Sequence, residues 1–203
     1  KALTVTAYDQ TVTYGTGITT EVGKMDLKGT VSGTHKLSSV TLTASTDQVT
    51  ANGYITPSAA VLYDTASGKD VTANYSISYG TGKLVIEKST PRLVFGSGYS
   101  SNYTYDGNAL STPSADELTV SGTAYSSVKF LWYRSSVADG NKLSSAPRDA
   151  GTYVLVAVVE QSANNHYASA ERIVTASPRA LTVTADAQSK NYGQSDPELT
   201  YTV

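Results

Sequence analysis

The sequence contains no cysteine, which excludes disulfide bonds, cysteine-based zinc sites and a thiol nucleophile. Its charges nearly cancel, with 15 lysines and arginines against 17 acidic residues, so it lacks the basic excess typical of proteins that bind nucleic acids or anionic membranes. No apolar run approaches the roughly 18–20 residues that cross a bilayer. We therefore expect neither nucleic acid nor a membrane as a partner of this segment.

Hydroxyl-bearing residues dominate the composition instead. There are 28 threonines and 26 serines, together 54 of 203 residues, and 15 of the 18 aromatic residues are tyrosine. Threonine, valine and tyrosine suit a pleated, half-buried surface, which glycine and proline interrupt with turns. This composition predicts an all-β fold. The chain begins at Lys1 without a methionine or an apolar leader, so we expect it to be part of a longer protein.

The sequence repeats itself. Residues 1–7, KALTVTA, return as RALTVTA at residues 179–185, and Tyr14-Gly15 returns as Tyr192-Gly193 at the same offset of 178 positions. A weaker copy opens midway, at Pro91. This spacing indicates a unit of about 90 residues, a common size for a β-sandwich.

The repeat predicts three parts: a sandwich at residues 1–88, a second at 89–178, and the first strands of a third repeat at 179–203. The short joints between them contain Pro91 and Pro178, which restrict the backbone, so we expect stiff hinges. The third part is too short to bury much apolar surface, and we expect it to lean on another surface.

Alternation of apolar and polar residues predicts the strands of the first unit. Leu3, Val5 and Ala7 alternate with threonine, and residues 79–83 look like a hairpin turn. We expect further strands at residues 26–31, 37–44, 60–63, 75–79 and 83–87.

The second unit has the pattern of an immunoglobulin-like sandwich. Trp132 lies on one predicted strand, and residues 149–153, DAGTY, precede an apolar strand. In such folds the tryptophan is in the core and the tyrosine hydroxyl, here that of Tyr153, bonds back to the chain just upstream. Leu155 stands where a true immunoglobulin domain has its second cysteine.

Several motifs resemble a known family. The chain is similar to the MBG/YDG-type repeats of bacterial surface proteins at residues 29–37, 70–75, 82–86 and 190–201, and to a related bacterial Ig-like repeat at residues 105–107, 149–153 and 165–167. One departure is that Tyr14-Gly15-Thr16 lacks the Asp-Pro that follows the equivalent turn near residue 196.

The resemblance implies an extracellular, wall-attached array of tandem repeats, often found in adhesins, with no common catalytic residues. It favours a non-catalytic spacer in an adhesin stalk, whose partners are the neighbouring repeats of the same protein. The alternative is that one repeat is itself an adhesion module for a host glycan or protein.

Candidate chemistry is sparse. His35 and His166 both lie in polar segments that look like solvated turns, so no base is evident beside a nucleophile. Residues 64–70 carry an acid at each end and a glycine, but calcium prefers more carboxylates, so a plain turn is favoured. Lys83 is the one lysine near an apolar strand that could form a core isopeptide bond. We expect no enzyme activity, cofactor or metal.

Two surfaces remain as binding candidates. A tyrosine cluster (Tyr99, Tyr103, Tyr105 and Tyr125) could stack on sugar rings, although tyrosines in sheets usually pack their rings. The other candidate is an apolar stripe formed by Leu131, Tyr133, Val154, Val156 and Val158. A half-exposed strand would be polar on this side. Either an adjacent domain, a partner chain or residues 180–203 cover the stripe, or the strand is simply buried on both faces.

Overall fold

The computed structural model describes residues 1–114, 116–125 and 127–203, and these form an all-β protein as the composition predicts. The remaining regular elements are short 3-10 turns at Val22–Lys24, Thr72–Asn74 and Asp139–Asn141. In the part of the chain that is described, no helix has the length and hydrophobicity needed to span a membrane. The strands are β1 Ala2–Ala7, β2 Gln10–Thr13, β3 Met25–Gly29, β4 His35–Ala44, β5 Thr50–Asp64, β6 Ser76–Gly80, β7 Gly82–Glu87, β8 Arg92–Phe95, β9 Asn102–Thr104, β10 Leu118–Ser121, β11 Val128–Arg134, β12 Gly151–Val159, β13 Ala168–Ser177, β14 Thr184–Ala185 and β15 Tyr201–Thr202.

Hydrogen-bonded sheets follow the repeat pattern of the sequence. Strands between residues 2 and 87 form the sheets β3-β1-β6 and β2-β7-β5-β4. Strands between residues 92 and 177 form the sheets β10-β8 and β11-β12-β13-β9, and β14 pairs with β15. The precise domain boundaries that the repeat predicts stay a prediction.

Backbone contacts divide the chain into two compact units. One comprises residues 1–95, 118–130 and 157–170, and the other comprises residues 96–117, 131–156 and 171–203.

The first compact unit contains the sandwich of residues 2–87. Strand β1 shows the predicted alternation, with Leu3, Val5 and Ala7 buried between exposed or half-buried neighbours. Val5 and Ala7 pack with residues from the facing sheet, among them Ile55 and Leu84. Burial of apolar side chains between two sheets is the arrangement that stabilises a β-sandwich.

The predicted hairpin turn at residues 79–83 is wrong. Strand β6 pairs with β1, whereas β7 pairs with β2 and β5, so the chain passes here from one sheet to the other. Strands β1 and β2 make the same passage beside it. The two crossings touch: a Cβ atom on Gly82 would lie 2.5 Å from the carbonyl oxygen of Tyr8, so only glycine fits.

A second apolar cluster of the first unit lies entirely after Pro91. Leu93 of β8, Leu118 of β10 and Val159 of β12 are buried in it. Half-buried side chains of β11 and β13 pack around them, namely Val128, Phe130, Ala168 and Ala170.

In the second compact unit, two predictions about the core are confirmed. Trp132 is buried. The Tyr153 hydroxyl donates a hydrogen bond to the carbonyl oxygen of Asp149, 3.0 Å away, which is the predicted tyrosine corner. At the end of β13, Thr175 pairs in parallel with Asn102 of β9.

Candidate functional site

The segment that joins β7 to β8 is held through both the backbone N–H and the carbonyl oxygen of Ser89. Ser89 is fully buried, and it forms a parallel β-bridge with Asn165. Its N–H donates to the carbonyl oxygen of Asn164 at 2.9 Å, and its carbonyl accepts the N–H of His166 at 2.9 Å. We call residues 87–91, with the loop 160–166 that pairs with them, the joint. All of these residues lie in the first compact unit.

Side chains of the segment add two further contacts to the joint. The Ser89 hydroxyl donates to the carbonyl oxygen of Ala124 at 2.7 Å. The Lys88 ammonium donates to the carbonyl oxygen of Ser162 at 2.8 Å. Ser89 is therefore tied both to the loop 160–166 and to the turn before β11.

Asn165 gives the loop 160–166 its shape. Its side chain is buried, and its amide nitrogen donates to the carbonyl oxygens of Glu160, at 2.8 Å, and His166, at 3.0 Å. Its amide oxygen accepts the Ser162 hydroxyl at 2.6 Å. Ser89 and Asn165 are the buried polar residues of the described chain, and the polar groups of both are paired. Pairing offsets the cost of removing them from water.

The side chain of Asn164 connects the joint to the first sandwich by hydrogen bonds. Its amide nitrogen donates to Oε1 of Gln48 at 2.8 Å, and its Oδ1 accepts the N–H of Val49 at 3.3 Å. Asn164 thus binds the loop between β4 and β5, more than 100 positions earlier in the chain. A single asparagine side chain therefore links segments from the two sequence repeats.

The Tyr14-Gly15 turn lies against the joint from the other side. The Tyr14 N–H donates to the carbonyl oxygen of Glu87 at 2.8 Å. Gly15 has φ of +86°, and a Cβ atom there would lie only 2.7 Å from the backbone nitrogen of Ala124. Glycine is required at this position both by the backbone conformation and by the close approach of another segment.

A shallow pocket of about 270 Å³ opens beside this turn. Apolar side chains, including Val12, Ile18 and Ile86, form most of its wall. Tyr14, Thr46 and Asp47 also line it and add polar groups.

The joint has the chemistry of a structural connection. Its contacts are amide, hydroxyl and carbonyl groups bound to one another, together with one lysine. The sequence held one signal for it, because residues 165–167 belong to the motif that resembles a bacterial Ig-like repeat. Nothing in the sequence pointed to Gln48 or Asn164 as partners.

The predicted interaction stripe is not an open surface in this structure. Tyr133, Val154, Val156 and Val158 are buried, and Leu131 is half-buried. Every residue from Tyr153 to Val159 is buried, so both faces of β12 are covered. A role for the stripe in binding a partner stays a prediction.

The histidines differ from each other. His166 is exposed and contributes its backbone to the joint. His35 was expected in a solvated turn, but it begins β4, is half-buried, and its Nδ1 lies 2.8 Å from the Tyr75 hydroxyl. The same hydroxyl accepts the N–H of Ser32 at 3.0 Å, so Tyr75 anchors the start of β4.

The acidic loop at residues 64–70 is built as a turn. The carboxylate of Asp64 accepts hydrogen bonds from the hydroxyls of Ser67 and Thr34 and from the N–H of Ala66. These donors, with Ser67 first, lower the pKa of Asp64 to about 2. Asp70 accepts the N–H of Thr72 at 2.8 Å, and hydrogen bonds from Thr72 lower its pKa as well.

Two further candidate residues, Tyr99 and Lys83, do not have the burial that their proposed chemistry needs. Tyr99 is buried and its hydroxyl donates to the carbonyl oxygen of Ser111 at 2.7 Å, so it is not part of a sugar platform; burial raises its pKa. Tyr105 and Tyr125 are exposed. Lys83 is exposed too, so it is not the inward lysine that a core isopeptide bond requires.

Residues 180–203 reproduce the beginning of the first repeat. Gly193 has φ of +87°, and the N–H of Gln194 bonds to the carbonyl oxygen of Asn191, as Thr16 bonds to Thr13. The N–H of Asp186 bonds to the carbonyl oxygen of Thr200 at 3.0 Å, much as that of Tyr8 bonds to Lys24, although two fewer residues separate the partners. The apolar side chains of this segment are exposed within the described chain, so the surface on which we expect it to lean stays a prediction.

This segment has a relative among known families. Residues 181–203 match the MBG domain of the YGX type. We call residues 181–203 the MBG segment. It includes the Tyr192-Gly193 turn, the counterpart of the Tyr14-Gly15 turn in the first repeat, and the glycine of each turn has a positive φ. No curated protein matches the chain.

Proposed function

We propose that this chain is a non-catalytic spacer region in the stalk of a bacterial adhesin. It lies outside the cell, in a protein attached to the wall, and holds a distal binding domain away from the surface. The observation that carries this proposal is the joint, in which Ser89 and Asn164 tie segments of successive sequence repeats together. The MBG segment supports it, since it resembles repeats of bacterial surface proteins.

A spacer has to resist bending where its modules meet. A chain tethered only by flexible residues would let successive modules reorient freely. At this joint, the main chain of Ser89 bonds to the loop 160–166 and its hydroxyl to Ala124, and the Asn164 side chain bonds from that loop to Gln48. Each neutral hydrogen bond contributes on the order of 1 kcal/mol, so several together favour one orientation.

The stiffness of the joint can be measured with spin labels. The chain has no cysteine, so cysteines introduced at the exposed positions Ser38 and Ser169 are the only labelled sites. Electron-electron double resonance should give one narrow distance distribution in the full chain. Asn164→Ala should broaden it, whereas substitution of the exposed Asn52 should not. A broad distribution in the unsubstituted chain would refute the rigid spacer.

Location needs a separate experiment on intact bacteria that produce the parent protein. Antibodies raised against this chain should label unpermeabilised cells. Labelling that requires permeabilisation would contradict a surface location, whatever the stiffness of the joint.

The alternative function is that the first repeat is an adhesion module for a host glycan or protein. The pocket beside the Tyr14-Gly15 turn favours it, because Tyr14 and Asp47 line it together with apolar side chains. Sugars bind sites of this composition through ring stacking and hydroxyl contacts. A glycan array with the full chain tests it: specific binding lost in Asp47→Ala, but kept in Asp139→Ala, would support the module over the spacer.

A further inference from the structure

We propose that a cavity at the passage from β1 to β2 is a binding site for an uncharged pyranose sugar. The cavity has a volume of about 490 Å³, a size typical of small-molecule sites. Residues 8–12, Thr19 and Lys24 line it, and all of them belong to the first compact unit. We call it the Tyr8 cavity. Sugar binding there goes beyond the spacer role, because it does not depend on the stiffness of the joint.

Hydrogen bonds hold the main chain around the Tyr8 cavity in place. The N–H of Tyr8 donates to the carbonyl oxygen of Lys24 at 3.0 Å, which continues the β1–β3 ladder. The Gln10 side chain bonds to Thr19 twice: its amide oxygen accepts the Thr19 N–H at 2.8 Å, and its amide nitrogen donates to the Thr19 carbonyl oxygen at 3.0 Å. A cavity formed in advance loses less conformational entropy when a ligand binds.

Tyr8 supplies an aromatic surface to the cavity. It is 47% exposed, although Gly82 packs closely against its backbone. Among the described residues its hydroxyl has no hydrogen-bond partner. The C–H groups on one face of a pyranose ring form an apolar surface that packs against an open aromatic ring. Tyr8 therefore has the exposure that the buried Tyr99 lacks.

Asp9 supplies a fixed acceptor for sugar hydroxyls. Its Oδ1 accepts the N–H of Lys83 at 2.6 Å, which orients the carboxylate. In the described part of the chain its Oδ2 has no partner. A carboxylate oxygen accepts hydrogen bonds from hydroxyl groups, and such bonds to an ionised acceptor are stronger than those between neutral groups.

Lys24 supplies the matching donor. Its ammonium group forms no ion pair or hydrogen bond with any described residue, so it is available to a ligand oxygen. The opposite charges of Asp9 and Lys24 balance within one cavity. An acidic sugar would gain from Lys24 but would be repelled by Asp9. An uncharged sugar uses both groups, because each of its hydroxyls can donate and accept.

The probes are the methyl glycosides of glucose, galactose, mannose and N-acetylglucosamine, each titrated into the isotope-labelled full chain. At least one of them should shift the amide resonances of residues 8–11, 19 and 24 and reach saturation. The methyl glycosides of glucuronic acid and N-acetylneuraminic acid should bind more weakly, because each carries a carboxylate.

Variants separate stacking from hydrogen bonding. Tyr8→Ala removes the ring and should weaken binding by about tenfold or more, whereas Tyr8→Phe keeps the ring and should bind. Tyr54→Ala is the control, because Tyr54 is an exposed tyrosine that does not line the cavity. Asp9→Asn keeps an acceptor for the Lys83 N–H but removes the charge, and it should also weaken binding by about tenfold. Unchanged amide resonances elsewhere verify that each variant is folded.

Four outcomes would overturn the proposal. The first is the absence of shifts with every neutral glycoside at high millimolar concentration. The second is unchanged binding by Tyr8→Ala. The third is tighter binding of the acidic glycosides than of the neutral ones. The fourth is a set of shifts centred on residues 44–47 and lost in Asp47→Ala, which would place the sugar in the pocket beside the Tyr14-Gly15 turn. Spin-label distances across the joint test the spacer proposal separately, whichever of these results is obtained.

Discussion

Ser89 and Asn165 lie side by side as a two-residue parallel β-bridge, and both are buried. The N–H and the carbonyl of Ser89 bond to the residues on either side of Asn165. Among the described residues, the side chain of Asn165 bonds within its own loop. Ser89 therefore connects the two segments, whereas Asn165 fixes the shape of the loop to which Ser89 binds.

Removal of the Asn165 side chain should destabilise the fold. In Asn165→Ala the carbonyl oxygens of Glu160 and His166 and the Ser162 hydroxyl lose their bonds to the Asn165 side chain, which is itself buried. We expect the free energy of unfolding to fall by about 2–3 kcal/mol. Urea denaturation measures it, with Asn52→Ala as the exposed control. Equal stability of the two variants would contradict the role given to Asn165.

Gly15→Ala should open the joint. The new methyl group would clash with Ala124, and φ of +86° adds strain of about 1 kcal/mol. Gly68→Ala is the matched control, because Gly68 has φ of +69° with open space around its Cβ position. Spin-label distances should broaden in Gly15→Ala alone. If the spin-label distance distributions of the two variants are the same, the clash of the new methyl group with Ala124 has no effect of its own.

Loss of the tyrosine corner should cost stability without any change of fold. Tyr153→Phe removes the hydroxyl of a buried ring and with it the hydrogen bond to the carbonyl oxygen of Asp149. A decrease of about 1 kcal/mol in the free energy of unfolding is expected. Tyr167→Phe, at an exposed tyrosine, should change it by less than about 0.5 kcal/mol. An unchanged stability in Tyr153→Phe would show that the corner bond is dispensable.

The turn at residues 64–70 should carry a measurable pH dependence. The pKa of Asp64 is lowered to about 2, so its ionised form is favoured in the folded state. Its stabilising contribution is therefore present above the ordinary value of 3.8 and is lost as the pH falls from there toward 2. A carboxyl titration followed by NMR should place the midpoint of Asp64 near 2. Ser67→Ala should raise this midpoint, and Ser58→Ala should leave it unchanged.

Local sequence patterns predicted the parts of the fold that depend on neighbouring residues. The alternation in β1 follows from a period of two, and the Tyr153 corner and the buried Trp132 follow from a local motif. The same patterns failed at residues 79–83, where turn residues predicted a hairpin. A glycine-rich turn permits either a hairpin or a change of sheet, and here β6 and β7 pair with strands of different sheets, which the local sequence does not encode.

The sequence by itself determined an all-β chain of repeated units. Strand periodicity, turn residues and the 178-position offset all depend only on the order of residues along the chain. Only the tertiary structure decided which polar residues join the repeats and which apolar residues stay open. Asn164 and Gln48 are 116 positions apart, so no local pattern can pair them. Leu3 and Leu181 have nearly identical neighbours in sequence yet opposite exposure, because burial depends on the strands that surround a residue in space.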